Sequence, residues 1–443
     1  MRSEKVLPFS WKSKESMDLK MNSEDMQEEP YQDGRVVVGL DIGTTKICII
    51  AAEVSKDVEN DFRVIGFGEA PSGGLTRGVV TNIRAAVKSI RRAVGECQLK
   101  SGIEIRDIYA GVAGHHILGI NNDGVVAVTG DTITQSDIDR VIESARATNS
   151  PDKEILHTLI QEYIVDGQDG VKSPIGMAGK RLEAKVHIIL GSVTSATNIV
   201  HCCNDADLNV QNIVLEPFAS SIAVLEEEEK ELGVVLLDIG GGTSDMVIYK
   251  NGSIIHTSVL PLGGNQVTND IAIGLRTAKV EALRIKHEQG TALVSSVKKG
   301  EVLTLKGIAG RENRIVHKRL LAEVIEARFR EIFHLIRSEL NRSGFRRECA
   351  AGIVLTGGSS LMKDIDVLAE EEMGMPVRIG APTNIKGFRE LVESPKYSTA
   401  IGLIKYGIDN DLETTFINGN SDRILSGVTQ NFRKLIKSFF GIF

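Results

Sequence analysis

The chain has 443 residues, 42% of them hydrophobic and 25% charged, with a net charge of −7. That length exceeds one ordinary core, so at least two domains are expected, with the composition of a soluble globular protein and a charge that argues against a general nucleic-acid binder. No apolar run reaches the length of a membrane-spanning helix, and Cys48, Cys97, Cys202, Cys203 and Cys349 lack the spacing of a disulfide framework or zinc site, which points to a reducing cytosol.

In chain order, residues 1–34 carry scattered charge ending in Glu24, Asp25, Glu28, Glu29 and Asp33, and read as a disordered acidic tail. Phe9, Trp11 and Leu19 leave open a short docked helix instead. Order begins with the apolar strand at Val36, which delivers Asp41 into Gly43, Thr44, Thr45 and Lys46 before a second β-branched strand. Apolar residues Ile83, Val87, Ile90 and Val94 recur at helical spacing, predicting an amphipathic helix over 83–97. From Tyr109 to Val193 the chain has its own rhythm of strands and one helix, read as an inserted small α/β domain. His115 and His116 within it lack further ligands at usable spacing and read as turn residues. A helix over about 196–206 follows, whose adjacent Cys202 and Cys203 are expected to be packed. Glu216, ahead of Pro217, is either a carboxylate that orients an attacking water or a surface residue before a proline.

The stretch VVLLDIGGGTSDMVIY, Val234 to Tyr249, drives a buried strand through Asp238 into Gly240, Gly241, Gly242 and Thr243. Glycines let backbone N–H groups approach an anion, and Asp238 is placed to hold Mg2+ through water, so this reads as a phosphate loop. A plain Gly-rich hairpin is the alternative, because Met246, Val247 and Ile248 form a returning strand. Leu237-Asp238-Ile239-Gly240 repeats Leu40-Asp41-Ile42-Gly43, as a duplicated domain closing on one nucleotide requires. Lys46 adds a cation suited to a β- or γ-phosphate. Further on, Glu281 and Arg284 stand three apart on a predicted helix, a second helix spans 320–341, and Ala351–Leu361 is a third strand entering glycines, Gly357 and Gly358, then Ser359. Small residues from Ser398 to Gly402 open a helix suited to close packing between lobes.

Together these motifs resemble the actin, Hsp70 and sugar kinase superfamily over residues 35–407. Within it the ordered set LDIGTTK, LIQEYIVD, VVLLDIGGGTSD, LAEVIEARFRE, GIVLTGGSSL, RIGAP and YSTAIGL resembles the bacterial actin-like cell-division family FtsA. The resemblance implies an α/β, two-lobed actin-like ATPase fold with duplicated ribonuclease H-like domains and an inserted small α/β subdomain. It divides the chain into a first lobe (35–108 and 194–225, with 388–410 returning to it) and a self-association insert (109–193). The second lobe takes 226–264 and 310–387, with a small subdomain at 265–309. It implies ATP and Mg2+ as cofactors: Asp41, Gly43, Thr44, Thr45 and Lys46 in the first phosphate loop, Asp238, Gly240, Gly241, Gly242 and Thr243 in the second, and Asp41 and Asp238 toward the metal. Gly357, Gly358 and Ser359 would meet the adenosine, and Glu281 and Arg284 the ribose and adenine, although Val280 and Arg284 depart from the family's A-E-x-x-K. Catalysis would be at most slow ATP hydrolysis by Glu216 and Asp238. The implied role is a filament at the division site, on the inner face of the cytoplasmic membrane, that anchors FtsZ and recruits later division proteins. An actin-like pilus assembly protein and a sugar or metabolite kinase are the rival readings.

The last sixteen residues support the membrane part. At 100° per residue, Phe432, Leu435, Ile436, Phe439, Phe440 and Phe443 share one arc, with Arg433, Lys434 and Lys437 opposite, predicting an in-plane amphipathic helix over 428–443. Each buried large apolar side chain contributes roughly 1.5–3 kcal/mol and each cation near anionic lipid about 1 kcal/mol, less the cost of folding the helix. One copy should bind modestly and a polymer by avidity. A flexible linker over 411–427 would reach roughly 20 Å.

Overall fold

The computed structural model describes residues 34–55, 61–148, 152–307, 311–383, 385–388 and 392–417. The tail before residue 34 and the amphipathic segment 428–443 lie outside them. In the first lobe, β1 (Arg35–Ile42), β2 (Lys46–Val54) and β3 (Phe62–Pro71) form an antiparallel meander, followed by the hairpin of β4 (Leu75–Thr76) and β5 (Val79–Val80). β2 is apolar throughout because both of its faces are buried: Cys48, Ile50 and Ala52 enter one core, Ile47, Ile49 and Ala51 another. Helix α1 (Ile83–Ser101) starts where the Asn82 side chain accepts from the Ala85 N–H and stops where Gly102 takes a φ of 71°.

Strand β6 (Asp107–Val112) pairs in parallel with β1. The sequence rhythm groups Tyr109–Ala113 with the insert, yet its hydrogen bonds place this strand in the first-lobe sheet; a parallel partner some seventy positions away leaves no local signal. The insert's own sheet follows, with β7 (Leu118–Ala127), α2 (Gln135–Ala145), β8 (Lys153–Val165), β9 (Gln168–Val171) and β10 (Arg181–Ser192). Its strands run antiparallel in the order β7-β10-β8-β9, and α2 covers one face through Ile138 and Val141. His115 and His116 sit in the turn before β7, and among the described residues no group of three or more His, Cys, Asp or Glu side chains is placed to hold a metal directly. All five cysteines are free and buried.

Helix α3 (Val193–Asn204) returns the chain to β11 (Asn209–Leu215), which joins β6 in parallel, and α4 (Glu216–Val224) and α5 (Glu227–Leu232) lead to the second lobe. There β12 (Val234–Ile239), β13 (Ser244–Lys250) and β14 (Ser253–Leu260) form a second meander. A helical and two-stranded excursion follows: α6 (Gly264–Gly274), α7 (Lys279–Gln289), β15 (Val302–Leu305), β16 (Arg314–His317) and the long α8 (Lys318–Ser343). Then β17 (Ile353–Thr356), α9 (Ile365–Met373) and β18 (Val377–Ile379) complete the sheet, and α10 (Ser398–Ile417) ends the described chain. The sheet orders β3-β2-β1-β6-β11 and β14-β13-β12-β17-β18 are the same pattern, three antiparallel strands and then two parallel ones. The duplication seen in two short motifs is therefore a duplication of whole sheets.

The lobes share one core. Val37, Ile50 and Ala52 of the first sheet meet Val234, Leu236 and Val354 of the second, with Ala219 and Ala223 of α4 and Ala400, Ile401 and Ile404 of α10 between them. Close helix crossing requires glycine here: a Cβ on Gly402 would stand 1.8 Å from the Ala219 carbonyl oxygen. Helix α10 runs past Asp411 to Ile417, so the segment expected to be linker from 411 begins as helix. The insert also touches the second lobe. Asn121 and Gln161 each donate to β14 carbonyls, those of Ile255 and Ile254, at 2.9 Å, and the buried His187 ring lies between Asn121 Oδ1 (2.7 Å) and Thr257 Oγ1 (3.0 Å).

Candidate functional site

The hairpin, one of the two readings left open on sequence, is present, and its turn carries the glycines of the other. Asp238 pairs with Asp245 and Ile239 with Ser244 across β12 and β13, leaving Gly240–Thr243 as the turn. The first loop is built the same way, with Asp41 opposite Cys48 and Ile42 opposite Ile47. The two turns face each other across the lobes. A Cβ on Gly241 would lie 2.3 Å from Thr45 Cγ2, and one on Gly242 2.6 Å from Thr44 Oγ1, so glycine is what permits this approach.

Each loop is braced from behind. Thr44 Oγ1 accepts from the Gly78 N–H at 3.0 Å, which ties the first loop to the β4–β5 turn. Lys46 Nζ donates to Asp41 Oδ2 at 3.1 Å and to the Lys396 carbonyl at 2.8 Å. Burial alone would lower the Lys46 pKa, but Asp41 foremost, with Cys48 and Glu69, raises it above the ordinary lysine value. In the second loop, the Gly240 carbonyl accepts from the Gly264 N–H (3.0 Å) and from Ser359 Oγ (2.9 Å), and the Gly241 carbonyl from the Asn265 N–H (2.8 Å). The N-terminus of α6 and the third glycine loop thus abut the second loop. Gly357 takes a φ of 84° beside Asp238, where a Cβ would fall 2.3 Å from Asp238 Oδ1.

Four acids converge. Asp41, Asp238 and Asp245 are buried, and Glu216, first residue of α4, lies against Gly111. Asp238 Oδ2 accepts from Ser220 Oγ at 2.6 Å, on the same helix as Glu216. Burial first, then Asp41 among its neighbours, pushes the Asp238 carboxyl up to about 6 despite the Ser220 hydrogen bond. Burial and Asp238 push Asp245 up to about 8. Burial, then Asp41, Asp245 and Asp238, raise Glu216 well above the carboxylate range. Such mutual repulsion is relieved by a cation, and Asp245 Oδ1 is buried with no hydrogen-bond partner. Mg2+ needs only one or two carboxylates and keeps waters, so the donor set fits it without a three-ligand protein cage.

Of the residues expected from sequence, Asp41 to Lys46, Asp238 to Thr243, Gly357 to Ser359 and Glu216 come together. Glu281 and Arg284 form a tight pair, with Arg284 Nε and Nη2 on the Glu281 oxygens at 2.9 and 2.6 Å, and Arg284 also donates to Glu288. Glu281 further accepts from the Lys306 N–H at 3.0 Å, so the pair also splices α7 to the loop after β15. Sequence reasoning missed Asp245, although an acid inside the apolar strand after the loop was a signal. It also missed His157 on β8. That ring is buried and held neutral, its pKa brought down to about 4 by burial, and its Nε2 accepts from the Leu215 N–H at 3.0 Å, one residue before Glu216.

Comparison with known proteins places these features in a family. A family model described as "Cell division protein FtsA" matches residues 235–402, and one described as "SHS2 domain inserted in FTSA" matches 114–190. The chain is 44% identical over 393 residues to cell division protein FtsA of Pseudomonas aeruginosa, covering 88% of this chain and 94% of that one. It is 38% identical over 388 residues to cell division protein FtsA of Escherichia coli (strain K12), covering 86% and 92%. Among solved structures, the PilM-PilN type IV pilus biogenesis complex superposes with a TM-score of 0.59 at 15% identity, covering 84% of this chain and 98% of that chain. At that identity the likeness concerns the fold alone, a mixed α/β actin-like one with two five-stranded sheets and an antiparallel insert.

Proposed function

The chain belongs to the FtsA family of cell division proteins, and from that premise we propose that it binds ATP and Mg2+ between its lobes and self-associates as a membrane-bound polymer. In this reading it lies on the inner face of the cytoplasmic membrane at the division site, anchors FtsZ filaments and recruits later division proteins. The observation that carries the nucleotide part is the opposition of the two glycine turns over a buried acid cluster. Among the described residues no helix is long and apolar enough to cross a membrane, and the reading assigns membrane contact to the terminal segment 428–443.

The residues divide the work. Thr44, Thr45 and Lys46 present hydroxyls and a cation to the phosphates, and the second turn presents the backbone N–H groups of Gly241 and Gly242, that of Gly240 being donated to the Thr243 carbonyl at 3.0 Å. Asp41 and Asp238, with Asp245 close by, hold Mg2+, which when bound neutralises phosphate charge. Glu216 orients water once its carboxyl has lost its proton; without a cation, burial first and then its acidic neighbours hold the proton on, consistent with at most slow hydrolysis. Asp238 also receives hydrogen bonds from Ser220 of α4 and, more loosely, from Thr399 of α10 (3.5 Å), so the metal carboxylate is joined to both helices between the lobes. Closure on nucleotide then selects one lobe arrangement, the one competent to polymerise.

The test is co-sedimentation with anionic liposomes, with ATP and FtsZ, comparing the full chain with residues 1–427. The full chain should pellet and bring FtsZ with it, and the shortened chain should stay in the supernatant. A full chain that ignores both liposomes and FtsZ would overturn the tether reading.

A further inference from the structure

Lys286 carries a buried charge for which the site described so far has no use. It lies on α7, two residues beyond Arg284, and is 9% exposed. Its Nζ donates to the Gly264 carbonyl at 3.0 Å, and among the described residues no carboxylate stands within ion-pair distance of it. Arg284 differs: half-buried, it is already balanced by Glu281 and Glu288. A buried ammonium with one neutral acceptor is costly unless an anion completes its surroundings.

The position says which anion. Gly264 opens α6 and donates to the Gly240 carbonyl, which also accepts from Ser359. A Cβ on Gly264 would stand 3.4 Å from Lys286 Nζ and 2.5 Å from Ser359 Oγ. Lys286, the third loop and the first glycine of the second loop therefore meet around one residue, Gly264, where in the nucleotide reading the nucleoside end of the ligand would pass into its phosphates. Lys46 is occupied with Asp41 in the opposite loop. Building on the nucleotide reading above, we propose that Lys286 is the counter-charge of the phosphate nearest the nucleoside, with Arg284 bracing Glu281. Burial lowers the Lys286 pKa to about 8, which an adjacent phosphate would restore.

The test uses the full chain and displacement of a fluorescent ADP analogue by ATP, ADP and adenosine. Lys286→Gln keeps a donor for the Gly264 carbonyl and removes the charge; Lys286→Met removes both. The Gln variant should melt like wild type yet bind ADP and ATP more weakly by the same factor, roughly tenfold, with adenosine unchanged. A folded Gln variant that binds ADP like wild type overturns the assignment, as does an equal loss for adenosine or a loss confined to ATP. If the Met variant alone fails to fold, the Gln result still decides. A wild-type chain that binds no nucleotide would bring down the underlying reading and this assignment together, whereas normal wild-type binding with an unaffected Gln variant removes only the latter.

Discussion

The two glycine turns stand on the same five-strand pattern and have opposite chemistry. The first brings bulk and a cation, with Thr44, Thr45 and Lys46; the second brings three glycines and a second buried acid, Asp245. Duplicated sheets put two Asp-bearing turns face to face, and the turns then diverged so that side chains of one fill the space left by the other. Side chains at Gly241 and Gly242 would collide with Thr45 and Thr44 of the first turn.

The comparison breaks most sharply at the point of contact. Gly241→Val puts a branched side chain where Thr45 already lies, and Asp238→Ala removes the carboxylate that joins the second loop to both inter-lobe helices. Each should lower ATP affinity by roughly a hundredfold or more, read by calorimetric titration; near-wild-type affinity in both would sink the two-loop site. Lys46→Met tests the cation of the first loop and leaves Asp41 unpaired. Its expected effect is roughly a tenfold loss of ATP affinity, read in the same titration.

Asp245→Asn examines the acid of the second turn through stability. Asp245 and Asp238 keep their protons to higher pH in the folded chain than in the unfolded one, so ionising them favours unfolding. The nucleotide-free protein should therefore lose stability as pH rises from the ordinary carboxylate range to about 8. Asp245→Asn should flatten that decline and raise the melting temperature at pH 8 by about 2 °C, measured without Mg2+. An unchanged pH profile would show that the aspartate is not strained. The smallest effect belongs to Gly240→Ala, whose Cβ would meet Thr243 at ordinary contact distance, its carbonyl oxygen at 3.5 Å and its Oγ1 at 3.9 Å. Its ATP affinity should stay within about twofold of wild type, which separates the glycine that faces Thr45 from the one that does not.

Much of this was legible in the linear chain because it depends on local order. The strand-to-turn transitions at Asp41 and Asp238 announced themselves through apolar runs ending in glycine, and α1 declared itself by spacing. The illegible parts depend on distant partners. Tyr109 reads as a strand but not as a member of the first sheet, because its neighbours are β1 and β11. Glu281 and Arg284 were visible as a pair, whereas Lys286 was not visible as a buried charge, since its burial depends on how α7 packs beneath Gly264. His157 gave only the signal of a histidine in an apolar strand; that it steadies the backbone ahead of Glu216 depends on the insert folding back against β11.

What the amino-acid order determined by itself was the inventory: two Asp-glycine turns, a third glycine loop, a small-residue helix and the ordered motifs that identify the family. Those follow from backbone sterics and apolar periodicity, which act over a few residues. Tertiary structure alone decided that the turns oppose each other, that four acids share one low-dielectric volume, and that α4 and α10 lie between the lobes. Burial and electrostatics depend on distances between residues far apart in the chain, so neither the raised carboxyl pKa values nor the need for glycine opposite Thr45 exists until the two sheets have packed.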